Sequence, residues 1–307
     1  MDAFMLAGDG RESHRVMGTH KALLVLDHRP LFLHVLAALN AVPQIERIYL
    51  VGPKAHLIEA MRTVPDVPIQ KPWAIIEQRG TLLENALSAY NEAFDPRCGG
   101  TGLPALFLSA DIPLVTSKEI ETFIARSDME TSDYCIGVTS EESLLSFYPG
   151  RSRPGIRMPY LYLDRAAYRM NNMHIARPHR IGALALIQQA YEVRYQTHLL
   201  NMLKTFWKML SMPTAWEGLR FYLCAQGARI GLGLHLASLA AICRRGLTVS
   251  ALNHLLSRLL DTRVKIVEVE MGGGALDIDS ESAYTTLLQH YAEWRLLCHM
   301  PHKMIPH

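Results

Sequence analysis

The chain has 307 residues, of which 49% are hydrophobic and 20% charged, and its net charge is +2. That content fills a sizeable core and excludes a disordered chain, and the near-balance of charge, with no block of one sign, excludes a general affinity for nucleic acid. Five scattered cysteines without a C-x-x-C pair exclude a disulfide framework or a zinc cluster and point to a reducing, cytoplasmic setting; Asp9, Arg11 and Glu12 interrupt any secretory leader.

Residues 1–138 alternate strand-like apolar runs with helical patterns. Ala3–Leu6 is a short apolar run ending in Gly8, and after a polar loop comes a second run, Lys21–Leu26. Pro30 stands where a helix begins, because a missing N–H is harmless in a first turn, and Leu31, Val35, Leu36 and Leu39 follow at helical spacing. Ile45–Val51 reads as a strand ended by Gly52-Pro53, Lys54–Arg62 as a helix, and Trp73–Ile76 as a strand. A helix over Thr81–Phe94 puts Leu82, Leu83, Ala86, Leu87 and Tyr90 on one side. Pro104–Ser109 reads as a buried strand, Ser117–Arg126 as a helix and Tyr134–Val138 as a strand. This rhythm predicts an α/β fold, a mostly parallel sheet with helices on both faces, whose ligands bind outside the carboxyl ends of the strands.

Past residue 140 the pattern changes. Residues 141–180, rich in Pro, Arg and Tyr, read as loops and short strands forming an acceptor-binding wall on a nucleotide-binding core of residues 1–180. Residues 181–263 read as a helical insertion with breaks near Met212-Pro213 and Gly246, in which Met202, Met209 and Met212 are core filler. Within it, Ile230–Cys243 carries no formal charge but is shorter than the roughly 20 residues needed to span a bilayer, so a buried helix is expected ahead of a membrane-surface one. Residues 264–307 return to the core through a strand, Val264–Met271, three glycines, Asp277-Ile278-Asp279, and a helix from Glu281.

Three constellations carry candidate chemistry. The loop from Leu6-Ala7-Gly8 through Gly10 and Gly18 to Lys21 exposes backbone N–H groups that can cradle phosphates, with a lysine as point charge. It is neither a Walker A loop nor G-x-G-x-x-G, and glycine content alone fits an ordinary polar loop. In Ser109-Ala110-Asp111-Ile112-Pro113 a carboxylate follows a buried strand, a position that suits Mg²⁺ and equally suits a turn aspartate. Asp277 and Asp279 point the same way on an extended segment and complete a metal site with Asp111 if the last strand lies beside the Pro104–Ser109 strand; alternatively Asp279 or Ser280 caps the final helix. The fourteen histidines show no metal-ligand spacing with carboxylates.

Taken together, Leu6-Ala7-Gly8, Gly18-x-x-Lys21-Ala22-Leu23 and Arg29-Pro30-Leu31 resemble the opening signature of the MobA-like NTP transferases. Ser109–Pro113 resembles that family's metal-binding aspartate motif, and Gly80-Thr81-Leu82-Leu83-Glu84-Asn85 the segment near the nucleotide base. Asp277-Ile278-Asp279-Ser280-Glu281 is similar to the D-x-D ending of inositol-phosphate cytidylyltransferase-like members. The chain departs from the pattern at Asp9, where a second glycine is usual, in the longer element Arg15-Val16-Met17-Gly18, and at Ser280-Glu281 in place of Thr-Pro. The resemblance implies a Rossmann-like, GT-A-type fold and transfer of a nucleotidyl group from a nucleoside triphosphate to a small phosphorylated acceptor, with Mg²⁺ as cofactor and pyrophosphate as leaving group. It implies that Leu6, Ala7, Gly8, Gly10, Gly18, Lys21, Gly80, Thr81 and Asn85 bind the nucleotide and that Lys21 and Asp111 act on it. Asp111 with Asp277 or Asp279 would hold the metal, and the D-x-D likeness suggests CTP. In family members a strand ending in Asn contacts the acceptor, which implicates Asn171 or Asn172, with Arg157 or Arg177 clamping its phosphate; a surface hairpin with solvated arginines is the alternative. A molybdenum-cofactor-type guanylyl- or cytidylyltransferase, a GT-A glycosyltransferase and a non-catalytic nucleotide-binding or membrane-surface module remain open beside this reading.

Overall fold

Side-chain alternation along β1 (Ala3–Leu6) already separates the two faces of the sheet. Ala3 and Met5 pack under α1 (Leu31–Asn40) and α4 (Ser117–Arg126), with Leu36, Leu39, Ile120 and Phe123 closing that side. Phe4 points the other way, between the stacked rings of Tyr49 and Phe107, against Tyr90 of α3 (Leu82–Ala93). The computed structural model describes residues 1–8, 15–64, 68–94, 102–150, 153–188 and 215–300.

The main strands are β4 (Ile48–Gly52), β5 (Trp73–Glu77), β6 (Ala105–Ser109), β7 (Tyr134–Ser140), β9 (Ala167–Ala176) and β10 (Val264–Glu268), in the order β10-β7-β9-β6-β1-β4-β5. All pairings along this path are parallel except those of β9, which runs antiparallel to both β6 and β7; a short β8 (Leu161–Tyr162) pairs with β9. Helix α2 (Lys54–Arg62) follows β4. A last helix, α9 (Glu281–His299), buries Tyr284, Leu287, Tyr291 and Trp294 against Val16, Leu24, Leu26, Leu31 and Phe147, and so clamps the loop that follows β1. This is the mostly parallel sheet with flanking helices that the sequence rhythm predicts. β1 has β6 on one side and β4 on the other, so the chain order reverses there and the crevice at its carboxyl end is where a ligand fits.

The structure departs from the sequence reading in several places. Lys21–Leu26 is not one strand but a 3₁₀ turn, Lys21–Leu23, followed by the two-residue β2 (Val25–Leu26), which pairs with β3 (Arg29–Pro30). Asp27 and His28, both at positive φ (50° and 61°), make the tight turn between them. The strand expected from Ile45 starts at Ile48. Residues 167–176, expected among loops and short strands, form a ten-residue strand inside the sheet. Its bulge opposite Gly137 scrambles the alternation that would have announced it. Strand β10 lies beside β7, not beside β6.

Of the helical segment, residues 181–188 and those from 215 onward are described, and the latter form α6 (Ala215–Gly233), α7 (Ala237–Arg244) and α8 (Val249–Leu260). The expected break at Met212-Pro213 and the three methionines lie outside the described residues. The expectation of a buried helix over 230–243 is overturned: α6 ends, turns and gives way to α7 there, with Leu234 64% and Ile242 63% exposed. No helix among the described residues is long and apolar enough to cross a membrane.

Candidate functional site

Three segments distant in sequence meet at the carboxyl ends of β1 and β6. The first is Ser109-Ala110-Asp111: the Ala110 N–H donates to the Leu6 carbonyl (3.0 Å), extending the β1–β6 ladder, and the Ser109 hydroxyl donates to Asp111 Oδ1 (2.5 Å). The second is the loop after β1, of which Gly10 lies outside the described residues. From Val16 to Thr19 it is a two-residue hairpin turn, each residue bonding the other's backbone (3.1 and 3.0 Å), with Met17 and Gly18 at φ 51° and 73°. Such a primed turn needs left-handed backbone, which is why glycine stands at 18. The Met17 N–H donates to Glu281 Oε1 (3.2 Å), tying the turn to the start of α9. The 3₁₀ turn that follows directs Lys21, whose Nζ lies 2.5 Å from Asp279 Oδ1 and 3.9 Å from Asp111 Oδ2.

The third segment brings the aspartate pair, by a route the sequence reading did not foresee. It is not a strand beside β6 but a loop held by its glycines and by α4. A Cβ at Gly273 would sit 2.2 Å from the Leu114 carbonyl oxygen, so only glycine passes there. The Gly274 N–H donates to the buried Glu119 (3.0 Å) and the Ile278 N–H to the Asp111 carbonyl (3.2 Å). Arg169, on β9, donates to the Ala275 carbonyl (2.8 Å) and forms a buried ion pair with Asp277. The helix cap falls to Ser280, whose hydroxyl accepts from the Ala283 N–H (3.2 Å), leaving both aspartates to the site.

Charge crowding sets the electrostatics. Burial, then the charge of Asp277, raise Asp111 to about 6, against the pull of Lys21 and the Ser109 hydrogen bond. Burial and Asp279 likewise raise Asp277, against Arg169. Lys21 and Arg169 pair with these three carboxylates. Carboxylate oxygens gathered at a strand end fit a hard divalent ion, and Mg²⁺ takes only one or two carboxylates beside water and substrate phosphate. Among the described residues, no group of three or more His, Cys, Asp or Glu side chains is placed to hold a metal ion.

On the opposite flank of β1, Gly8 meets the segment after β5. A Cβ on Gly8 would approach Asn85 Nδ2 to 3.0 Å. Asn85 is buried, its Oδ1 accepting from the Arg79 N–H (2.6 Å) and the Gly80 N–H (3.2 Å), so it shapes this turn from within. Thr81 is the N-cap of α3 in a reciprocal capping box with Glu84. Leu6 is half-buried and Ala7 buried where the crevice begins.

The acceptor candidates separate. Asn171 is buried; its Oδ1 accepts from the Met173 N–H (3.2 Å), and its amide fills the space a Cβ at Gly137 would take. Asn172 donates to the Gly274 carbonyl (3.2 Å), and Arg157 is exposed. Arg177 cannot clamp a ligand in this crevice. It follows β9 at the far end of the sheet, where it donates to the Met129 and Ser132 carbonyls and pairs with Asp133. Sequence reasoning gave no role to Arg169, Glu119 or Glu281. Arg169 partners an aspartate 108 positions away, and nothing local to either residue signals the pairing.

The chain matches the family model of the MobA-like NTP transferase domain over residues 3–174. No curated protein matches it. Among solved structures, it is similar to a hypothetical transferase from Thermus thermophilus (TM-score 0.60, 16% identity, covering 92% of this chain and 98% of that one). It is also similar, more distantly, to a 4-diphosphocytidyl-2C-methyl-D-erythritol synthase from Anaerococcus prevotii (TM-score 0.47, 12% identity, 95% and 97% covered). A CMP:2-keto-3-deoxy-manno-octonic acid synthetase complexed with CTP stands at a TM-score of 0.47 and 11% identity, with 95% and 99% covered.

Proposed function

From the premise that the chain belongs to the MobA-like NTP transferase family, we propose that it transfers a nucleotidyl group from a nucleoside triphosphate to a small phosphorylated acceptor. The observation that carries this reading is Lys21 set between Asp111 and Asp279 at the crevice end of β1 and β6. An oxygen of the acceptor phosphate forms a bond to the α-phosphorus, the bond to the β-phosphate oxygen breaks, and pyrophosphate leaves with the electron pair. With a second pKa near ~6 the acceptor phosphate is already anionic at neutral pH, so no general base is needed. Lys21 exchanges its Asp279 partner for the α-phosphate and stabilises the charge growing there. The turn around Gly18 stands on the phosphate side of the crevice, while Gly8, Gly80 and Asn85 form its base side.

Mg²⁺ would be held by Asp111 and Asp279, since Asp277 is committed to Arg169, and when bound it would supply charge neutralisation to the triphosphate. Arg169 is then a positioning residue: by pinning Asp277 it fixes the extended segment that presents Asp279. Asn172 and Arg157 are the acceptor contacts we propose, and CTP is the donor, on the likeness of Asp277–Glu281 to the D-x-D ending. Pyrophosphate release from each of CTP, GTP, UTP and ATP, with a panel of sugar and polyol phosphates, tests the reading. Release should appear with one triphosphate and vanish in Lys21→Ala. Release that Lys21→Ala leaves intact contradicts it.

A further inference from the structure

Helices α6 and α7 are arranged the opposite way from helices packed in water. Their small residues face each other: a Cβ at Gly231 would lie 2.9 Å from the Ala240 backbone nitrogen, and one at Gly227 would lie 2.7 Å from Cys243 Sγ. With glycine and alanine turned inward, the aliphatic side chains are left outside. Ile230, Leu232, Leu234, Leu236, Leu239 and Ile242 are all exposed around the turn that joins the two helices. That turn is itself well formed. His235 takes the left-handed conformation (φ 58°) and the Leu236 N–H bonds back to the Gly231 carbonyl (2.7 Å), a Schellman stop.

Charge is sorted as sharply. Between Glu217 and Asp261 the chain has no acidic residue but carries Arg220, Arg229, Arg244, Arg245 and Arg258, the last paired with Glu217. The tip itself, Ile230–Cys243, bears no formal charge, and the arginines at 229, 244 and 245 stand at its base. Trp216 and Tyr222, both exposed, lie on α6 below the tip. An aliphatic tip above a cationic collar with flanking aromatics matches the layering of a bilayer interface, from acyl boundary to anionic headgroups. The pattern lacks the length to span. The unit rests on β8 and on Tyr168, the neighbour of Arg169, so it is mounted at the same end of β9 as the crevice.

We infer that the α6–α7 tip is a docking surface for anionic lipid bilayers. This does not depend on the chemistry proposed for the crevice. Co-sedimentation of the full chain with phosphatidylcholine vesicles, with and without phosphatidylglycerol, tests it. The chain should pellet with the phosphatidylglycerol vesicles, and moderate salt should weaken the binding. Leu234→Glu/Leu236→Glu and Arg229→Glu/Arg245→Glu should each lower binding tenfold or more while the melting temperature holds, because these side chains are exposed. No binding to phosphatidylglycerol vesicles, or equal binding to both vesicle types, overturns the inference. So does a dimer on size exclusion that Leu234→Glu/Leu236→Glu dissociates, since the tip would then belong to a second copy of the chain.

Discussion

The crevice at β1 and β6 and the α6–α7 tip handle charge in opposite ways. In the crevice, three aspartates, a lysine and an arginine are drawn together from four parts of the chain and largely withdrawn from water. At the tip, aliphatic side chains face outward, and between Glu217 and Asp261 the formal charges of the sequence are all arginines. A buried charge cluster is costly to build and stable only with its partners in place, whereas an exposed apolar tip adds little to folding. The first is therefore sensitive to single substitutions, and the second should tolerate them in all but its own binding.

Substitutions can break this contrast. Arg169→Ala leaves Asp277 buried beside Asp279 without its cation and should cost about 3–5 kcal/mol in denaturant unfolding. Adding Asp277→Asn should restore part of that loss, and if it does not, Arg169 does more than neutralise Asp277. Lys21→Ala and Asp111→Ala should each lower turnover on the order of a hundredfold or more, a loss of about 3–4 kcal/mol in transition-state stabilisation. Both variants should still unfold cooperatively. Gly273→Ala forces a methyl onto the Leu114 carbonyl, so the aspartate loop must move; about 1–3 kcal/mol of stability and much of the turnover should go together.

A pH series sharpens the same picture. Burial raises Glu119 to about 8, against the hydrogen bonds it accepts from backbone N–H groups. Its folded-state value thus lies above its unfolded one. The stability it contributes is complete below about pH 4.5 and is lost, at up to about 1.4 kcal/mol per pH unit, as pH rises toward 8. Glu119→Gln removes that slope, so the variant should gain on the parent in melting temperature between pH 5 and pH 8 and stay level above it. The smallest effect belongs to the tip: Leu234→Glu should change stability by no more than about 0.5 kcal/mol and leave turnover unchanged.

Much of the α/β body was legible because its signals are local. The helix Ser117–Arg126 and the strand Pro104–Ser109 announce themselves by their apolar pattern, and the structure finds them within a residue. Strand β9 was hidden, since its bulge at Asn171 and Asn172 breaks the period of two and Gly137 on the neighbouring strand makes room for it. For the crevice, Lys21, Asp111 and the Asp277–Asp279 pair could be singled out by motif, but not the loop geometry that joins them. What holds that loop, Glu119 and Arg169, lies on other elements and carries no local mark. The tip was misread because an uncharged stretch of Leu and Ala reads as core, and only the packing of Gly227 and Gly231 against α7 reveals which way its leucines turn.

The central claim, that the crevice binds a nucleoside triphosphate through Lys21 and the aspartates, is tested most directly by the melting temperature of the parent and of Asp111→Ala with CTP, GTP, UTP and ATP, each with and without Mg²⁺. A ligand at a hundred times its Kd stabilises the folded state by about 2.7 kcal/mol, a readily measured shift. The account predicts a Mg²⁺-dependent rise with one triphosphate, CTP, that disappears in Asp111→Ala. No rise with any triphosphate, or one that Asp111→Ala leaves unchanged, would contradict it.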